Sequence, residues 1–277
     1  MGLRIATNVT AMNAQRNLGI SNDKQSATLS KLSSGQRINK AGDDAAGLAI
    51  SEKLKGSIRS MQQANRNAND GISLIQTAEG GINEVSNILL RLRELSVQAA
   101  SDTVGEVERG FSDKEYQQLK SEIERISQVT KFNGRALLNG TGGTLDFQVG
   151  IDNHPENDRL QYSTAMTDVT IGKLGLSSTD VMKKENAQEN LAKIDLAIQG
   201  VNENRAGLGA LQNRLSSTVN NLGIATENLS AANSRIRDAD IAMESSELTK
   251  ASILSQAGTA VLSQANSSQN LALKLLG

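Results

Sequence analysis

The chain has no cysteine, no tryptophan, a single proline and only five aromatic residues among 277. Without thiols it has no disulfide, no thiol nucleophile and no thiolate metal site. The one proline, Pro155, leaves residues 1–154 and 156–277 free of the residue that obligatorily breaks a helix. The aromatics Phe111, Tyr116, Phe132, Phe147 and Tyr162 all fall between positions 111 and 162. Aromatic side chains bury about 150–250 Å² each and supply much of an ordinary core. Their absence from both flanks excludes ordinary globular domains there and points to long, narrow packing.

Other absences remove function classes. Thirty acidic against 29 basic residues leave no global field to hold nucleic acid or an anionic membrane. No stretch approaches the roughly 18 apolar residues of a membrane-spanning helix. The start Met1-Gly-Leu-Arg-Ile-Ala-Thr7 lacks the apolar centre of a cleavable secretory signal, and Ala6 misses the myristoylation pattern. The lone histidine, His154, excludes a two-histidine zinc helix and reads as a solvated turn residue beside Pro155. No phosphate loop occurs, and Gly207-Leu-Gly209 has Gln212 where a dinucleotide fingerprint needs glycine. Asp152, Glu156 and Asp158 do not fit a calcium-loop spacing. Asp43-Asp44 lack an acid–base partner and read as the cap of a helix beginning at Ala45. No catalytic, metal or cofactor site is expected, and the chain reads as a non-enzyme.

What is present is periodicity. Ile194, Val201, Leu208, Leu215, Leu222, Leu229 and Ile236 recur every seven residues, with Ala197, Leu211, Ala225 and Ala232 as a smaller second seam. Sustained heptads predict a helix over about 185–236, packed lengthwise on others. Ala68, Ile72, Ile75, Ala78, Ile82, Val85, Leu89, Leu92, Leu95 and Ala99 step by threes and fours, which predicts a partner helix over about 45–100. A shorter helix is predicted over about 112–129, with Ser112 and Glu115 as a capping box and Tyr116, Leu119, Ile123 and Ile126 as its stripe. These stripes read first as an intramolecular bundle core, and otherwise as seams between molecules.

Leu145, Phe147 and Val149, then Leu160 and Tyr162, alternate around the turn 152–158 and predict a β-hairpin over about 143–165. Residues 1–40 carry six basic groups against Asp23, whereas 238–277 carry four acids against Lys250 and Lys274. The two ends are expected to lie side by side, labile alone and helical once packed.

The segment Ser33-Ser-Gly-Gln-Arg-Ile-Asn-Lys-Ala-Gly-Asp-Asp-Ala-Ala-Gly-Leu-Ala-Ile50 closely resembles the N-terminal signature of bacterial flagellins. The likeness continues through Asn67-Ala-Asn-Asp-Gly-Ile72, Gln76-Thr-Ala-Glu79, Leu92-Arg-Glu-Leu-Ser-Val-Gln98 and Phe132-Asn-Gly134. Leu208-Gly-Ala-Leu-Gln-Asn-Arg214, Ser234-Arg-Ile-Arg-Asp-Ala-Asp240 and Gln256-Ala-Gly-Thr-Ala-Val-Leu-Ser-Gln-Ala-Asn266 complete it. It covers roughly residues 1–140 and 190–277.

The resemblance implies a mainly α chain: a long antiparallel helical bundle or coiled-coil rod (43–237) with a small β-hairpin region. Paired terminal helices (1–42 and 238–277) would line the inner tube of a flagellar filament. It implies a short filament subunit without outer domains, exported unfolded without a cleaved signal and assembled into an extracellular helical homopolymer. Expected polymerisation residues are Ile5, Val9 and Met12 at one end and Leu254, Val261, Leu262 and Leu275 at the other. The implied partners are the chain itself, an export chaperone, and the cap and hook-junction proteins. In many flagellins a patch is read by the animal Toll-like flagellin receptor; Arg91, Leu95 and Glu122 stand at the matching positions, while Leu90 departs from the usual glutamine. The alternative within the class is a flagellin-like junction protein between hook and filament.

Overall fold

The computed structural model describes residues 7–274. They form five α-helices: α1 (Val9–Ser34), α2 (Ala45–Ala99), α3 (Glu106–Val129), α4 (Lys184–Arg237) and α5 (Ile241–Lys274). Between α3 and α4 lie two strand pairs, β1 (Lys131–Phe132) with β2 (Arg135–Ala136) and β3 (Thr144–Gln148) with β4 (Arg159–Ser163), both antiparallel. The chain divides into two compact units, one of residues up to Ile58 together with those from Glu227, the other Arg59–Thr226.

The unit Arg59–Thr226 holds the main core. Along α2 the stripe from Ala68 to Ala99 is buried, apart from the half-buried Ile72. Ile194, Val201, Leu208, Leu215 and Leu222 of α4 are buried, as are Tyr116, Ile123 and Ile126 of α3. Three amphipathic stripes therefore close on one core, and fully burying each Leu or Ile contributes about 1.5–3 kcal/mol. The strand residues continue it: Leu145 pairs with Tyr162 and Phe147 with Leu160 across β3 and β4. Leu145, Leu160 and Tyr162 face inward, and the Tyr162 hydroxyl donates to the Leu137 carbonyl at 3.1 Å.

Two details depart from the sequence reading. Helix α3 begins at Glu106 rather than near Ser112, and the expected capping box is not formed. Ser112 instead donates to the Glu108 carbonyl and Glu115 pairs with Arg91. The earlier start follows from Arg109, which is buried and donates from Nε to Ala99 O at 2.8 Å and from Nη2 to Ser101 O at 2.9 Å. It thereby satisfies carbonyls freed at the end of α2, a demand that must be met somewhere. Phe111 lies on the outer side of α3, 65% exposed, so not every aromatic serves the core. The β1–β2 turn is a further element that the sequence analysis did not predict. Asn133 (φ 48°) and Gly134 (φ 79°) take the left-handed conformations that a two-residue hairpin loop requires.

Lys120 is the unusual core residue of this unit. Its ammonium is buried and donates to the Ser177 and Thr179 carbonyls at 3.2 and 2.8 Å, holding the segment that leads into α4. Burial pushes its pKa below the usual lysine range, against the upward pull of Asp113 and Asp180.

Candidate assembly surfaces

The other unit is built on α1 packed against α5. Its contact face uses small residues: Ala14, Thr28 and Ala251 are buried, and Gly258 sits where an added Cβ would stand 3.3 Å from Leu18 Cδ1. Small side chains let two backbones approach closely but give little apolar burial. Polar contacts fix the register instead. Asn8 caps α1 by accepting from Ala11 N at 2.9 Å, and its amide donates to Ala265 O at 3.1 Å. Ser255 donates to Asn22 Oδ1 at 2.9 Å, and Lys31 pairs with Glu244 at 3.4 Å.

The turn after α1 is locked to the end of α4. Gly35 (φ 68°) ends α1 in the left-handed conformation and accepts from Ala239 N, while Arg37 N donates to Arg237 O. The Arg37 guanidinium caps α4 through Ile236 O, and Arg237 reaches Gln36 and Glu52. Of the two aspartates expected to cap α2, only Asp44 does so, accepting from Gly47 N at 2.8 Å. Asp43 instead accepts from the Asn39 and Lys40 amides at 3.0 and 2.8 Å. Those backbone bonds, Lys40 first, hold its carboxyl below the ordinary aspartate range.

The outer sides of this helix pair carry large apolar side chains among polar ones. Val9, Met12, Ile20 and Leu29 on α1 and Ile241, Met243, Ile253, Leu254 and Val261 on α5 are all exposed. Of the expected polymerisation residues, Val9, Met12, Leu254 and Val261 are thus at the surface, and Leu262 is half-buried. Ile5 and Leu275 lie outside the described residues. Met243 was missed by the sequence reading, although its helical spacing to Leu254 and Val261 would have found it. Two helices cannot cover each other's far sides, so these apolar side chains stay exposed within this unit. In this same unit Leu229 and Ile236, the last two heptad residues, are only half-buried.

On the unit Arg59–Thr226, two residues of the expected receptor patch lie in exposed ion pairs. Arg91 lies between Glu115 and Glu94, at 2.9 Å from each, and Glu122 pairs with Arg125 at 2.6 Å. Bonds to Glu115 and then Glu94 raise the Arg91 pKa, and the bond from Arg125 lowers that of Glu122. Water screens these pairs, so they contribute little to stability. Leu95, the third residue of the expected receptor patch, is only 2% exposed. It points into the core between α2 and its neighbours and presents nothing to a partner. The side chain exposed beside Arg91 is Leu90.

No group of three or more metal-ligating side chains occurs among the described residues, and no helix among them is long and apolar enough to cross a membrane. His154 lies exposed in the β3–β4 turn, its amide donating to Asp158.

Comparison with known proteins gives a consistent result. Two family models match: the bacterial flagellin N-terminal helical region over residues 5–142 and the bacterial flagellin C-terminal helical region over residues 191–276. A flagellin of Halalkalibacterium halodurans is 47% identical, covering 97% of this chain and 98% of that protein. A flagellin of Bacillus subtilis is 42% identical, covering 99% of this chain and 100% of that protein. Among solved structures, the crystal structure of Bacillus cereus flagellin aligns with a TM-score of 0.51 at 34% identity, over 57% of this chain and 88% of that one.

Proposed function

The chain belongs to the bacterial flagellin family and is a structural subunit of the extracellular flagellar filament, not an enzyme, and we propose that it assembles through the exposed apolar faces of α1 and α5. The observation that carries this reading is the contrast between the small, polar-registered contact of the two helices and the large apolar side chains on their outer sides. Val9, Met12, Leu254, Val261 and Leu262 are the contact residues of this reading.

A second copy covers those faces by a heterologous contact that does not close into a ring, and repetition gives a helical filament. The unit Arg59–Thr226 then serves as the rod, with the heptad of α4 as its core. Terminal helices that gain most of their burial only from neighbouring chains stay weakly ordered until they join. This keeps free subunits soluble and suits passage through an export channel in unfolded form. The export chaperone, the cap and the hook-junction proteins are the partners that this route assigns. The junction-protein alternative is not favoured, because the relatives matching nearly the whole chain are flagellins.

The test uses the full chain with Leu254→Asp and Val261→Asp. Sulfate, which strengthens apolar burial, drives assembly, and negative-stain imaging reads the product. The unmodified chain is expected to give long filaments, and the double variant to remain free with its helical circular dichroism intact. Filaments of normal diameter from the variant refute the reading, as would such filaments from a chain lacking residues 241–277. For recognition by the Toll-like flagellin receptor, the exposed Arg91 and Glu122 are the contacting side chains and Leu95 supports their helix from within. Equal receptor binding by the monomer and its Arg91→Ala variant removes that part.

A further inference from the structure

Four of the five methionines among the described residues are exposed, at 58–73%: Met12, Met166, Met182 and Met243. Met61 is half-buried. Two of the four lie on the terminal helices. Met243 is 68% exposed and precedes Leu254 and Val261 by 11 and 18 residues, spacings that bring the three within about 20° on one helix face. Its neighbour Glu244 turns toward α1 to meet Lys31, so Met243, about 100° round the helix, stands at the flank of the α1–α5 contact. Met12 is 60% exposed and follows Val9 by three residues on the outer face of α1. Neither α1 nor α5 contains cysteine, histidine or an aromatic residue. Met12 and Met243 are therefore the only side chains of the two helices that a mild oxidant can change.

We propose that Met243 and Met12 are oxidant-sensitive contact residues, whose conversion to the sulfoxide blocks joining of chains and which joined chains shield. The proposal rests on the assembly reading above. The oxidant is a hydroperoxide, ROOH. The thioether sulfur gives an electron pair to the terminal peroxide oxygen, the O–O bond breaks and the S–O bond forms. The proton of that oxygen passes to the departing alkoxide, which leaves as ROH. Sulfur is oxidised by two electrons and the peroxide reduced by two. The product replaces an apolar thioether by a group carrying a strong acceptor oxygen. A contact with a second copy that buries this oxygen without a donor loses what the unmodified thioether contributes. The flexible thioether otherwise suits a seam that must fit neighbours in slightly different positions.

The experiment uses the full chain carrying Met61→Leu, Met166→Leu and Met182→Leu, and a second version that adds Met12→Leu and Met243→Leu. Each is treated with hydrogen peroxide as the free chain, peptide masses locate the sulfoxide, and sulfate then drives assembly. Sedimentation measures the free chain left at equilibrium. For the first version, oxidation is expected to raise that concentration at least about tenfold, equal to about 1.4 kcal/mol per joining event. Methionine sulfoxide reductase is expected to reverse the effect. The second version is expected to assemble equally with or without peroxide. In preformed filaments both sulfoxides are expected to form at least about tenfold more slowly than in the free chain. Full oxidation at both positions with unchanged assembly overturns the proposal, and so do equal rates in free and joined chains. Failure of both untreated versions to assemble, with the unmodified chain also failing, overturns the assembly reading itself.

Discussion

Gly80 and Gly81 are adjacent in the interior of α2, and the structure gives their replacement by alanine opposite signs. A Cβ at Gly80 meets nothing within 4 Å. Alanine there gains the ordinary helix preference over glycine, about 0.8–1.0 kcal/mol. A Cβ at Gly81 would stand 2.7 Å from Leu138 Cδ1 and 2.8 Å from Thr130 Oγ1. Carbon atoms pack best at about 3.5–4.0 Å, so the Leu138 contact falls short by nearly 1 Å. Leu138 is fully buried and cannot swing aside, and the Thr130 hydroxyl is tied to Ile126 O at 2.8 Å. Overpacking of this kind costs roughly 1–3 kcal/mol, which outweighs the same helix gain.

Gly81→Ala is therefore expected to lose up to about 2 kcal/mol and Gly80→Ala to gain about 1, a gap of roughly 1–3 kcal/mol between neighbours. The assay follows tyrosine fluorescence during urea unfolding of the full chain. With no tryptophan present, the signal comes from Tyr116 and Tyr162, both buried in the unit Arg59–Thr226. It reports the unit that contains the two glycines. The midpoint is expected to rise for Gly80→Ala and fall for Gly81→Ala at unchanged slope, with thermal midpoints moving by about 2–4 °C per kcal/mol. A neutral or stabilising Gly81→Ala, or a destabilising Gly80→Ala, refutes the packing argument.

Three further outcomes follow from the same reasoning. Leu215→Ala removes a fully buried heptad residue and is expected to lower the tyrosine-detected stability by about 2–5 kcal/mol, whereas Leu229→Ala, half-buried in the other unit, should leave that transition in place. Lys120→Met strands the Ser177 carbonyl and leaves the Thr179 carbonyl to Gln117 alone, and is expected to lose about 1–3 kcal/mol in the same urea experiment, despite removing a buried charge. The Asp43 carboxyl titrates below its usual 3.8 in the folded chain, so its contribution is full above that value and is lost as pH falls through the lower folded one. Hydrogen exchange at the Asn39 and Lys40 amides, compared between wild type and Asp43→Asn at each pH, should differ near neutrality and converge in acid; a constant difference refutes the assignment.

Much of the architecture was legible because its causes are local. The stripe from Ala68 to Ala99 and the heptad from Ile194 to Leu222 repeat at the helical period, and a face that repeats can only be buried lengthwise. The alternation of Leu145, Phe147, Leu160 and Tyr162 announced a hairpin for the same reason, and the flagellin segments named the family. The Asn133-Gly134 turn was also legible in principle, since that pair is a strong hairpin signal, but flanking strands of two residues each are too short to show alternation.

What the sequence by itself determined is therefore the set of long helices, the faces they bury and the family they belong to. Periodicity and motif are properties of neighbouring residues. The tertiary structure alone decided matters that depend on a distant partner. Arg109 starts α3 early because carbonyls at the end of α2 need donors. Asp43 and Asp44, identical side by side, serve different backbones. Leu95 lies within while Leu90 faces out, although the two stand five residues apart on one helix. Gly80 and Gly81 differ only in what stands opposite them, and Met243 is exposed only because none of the described residues covers it.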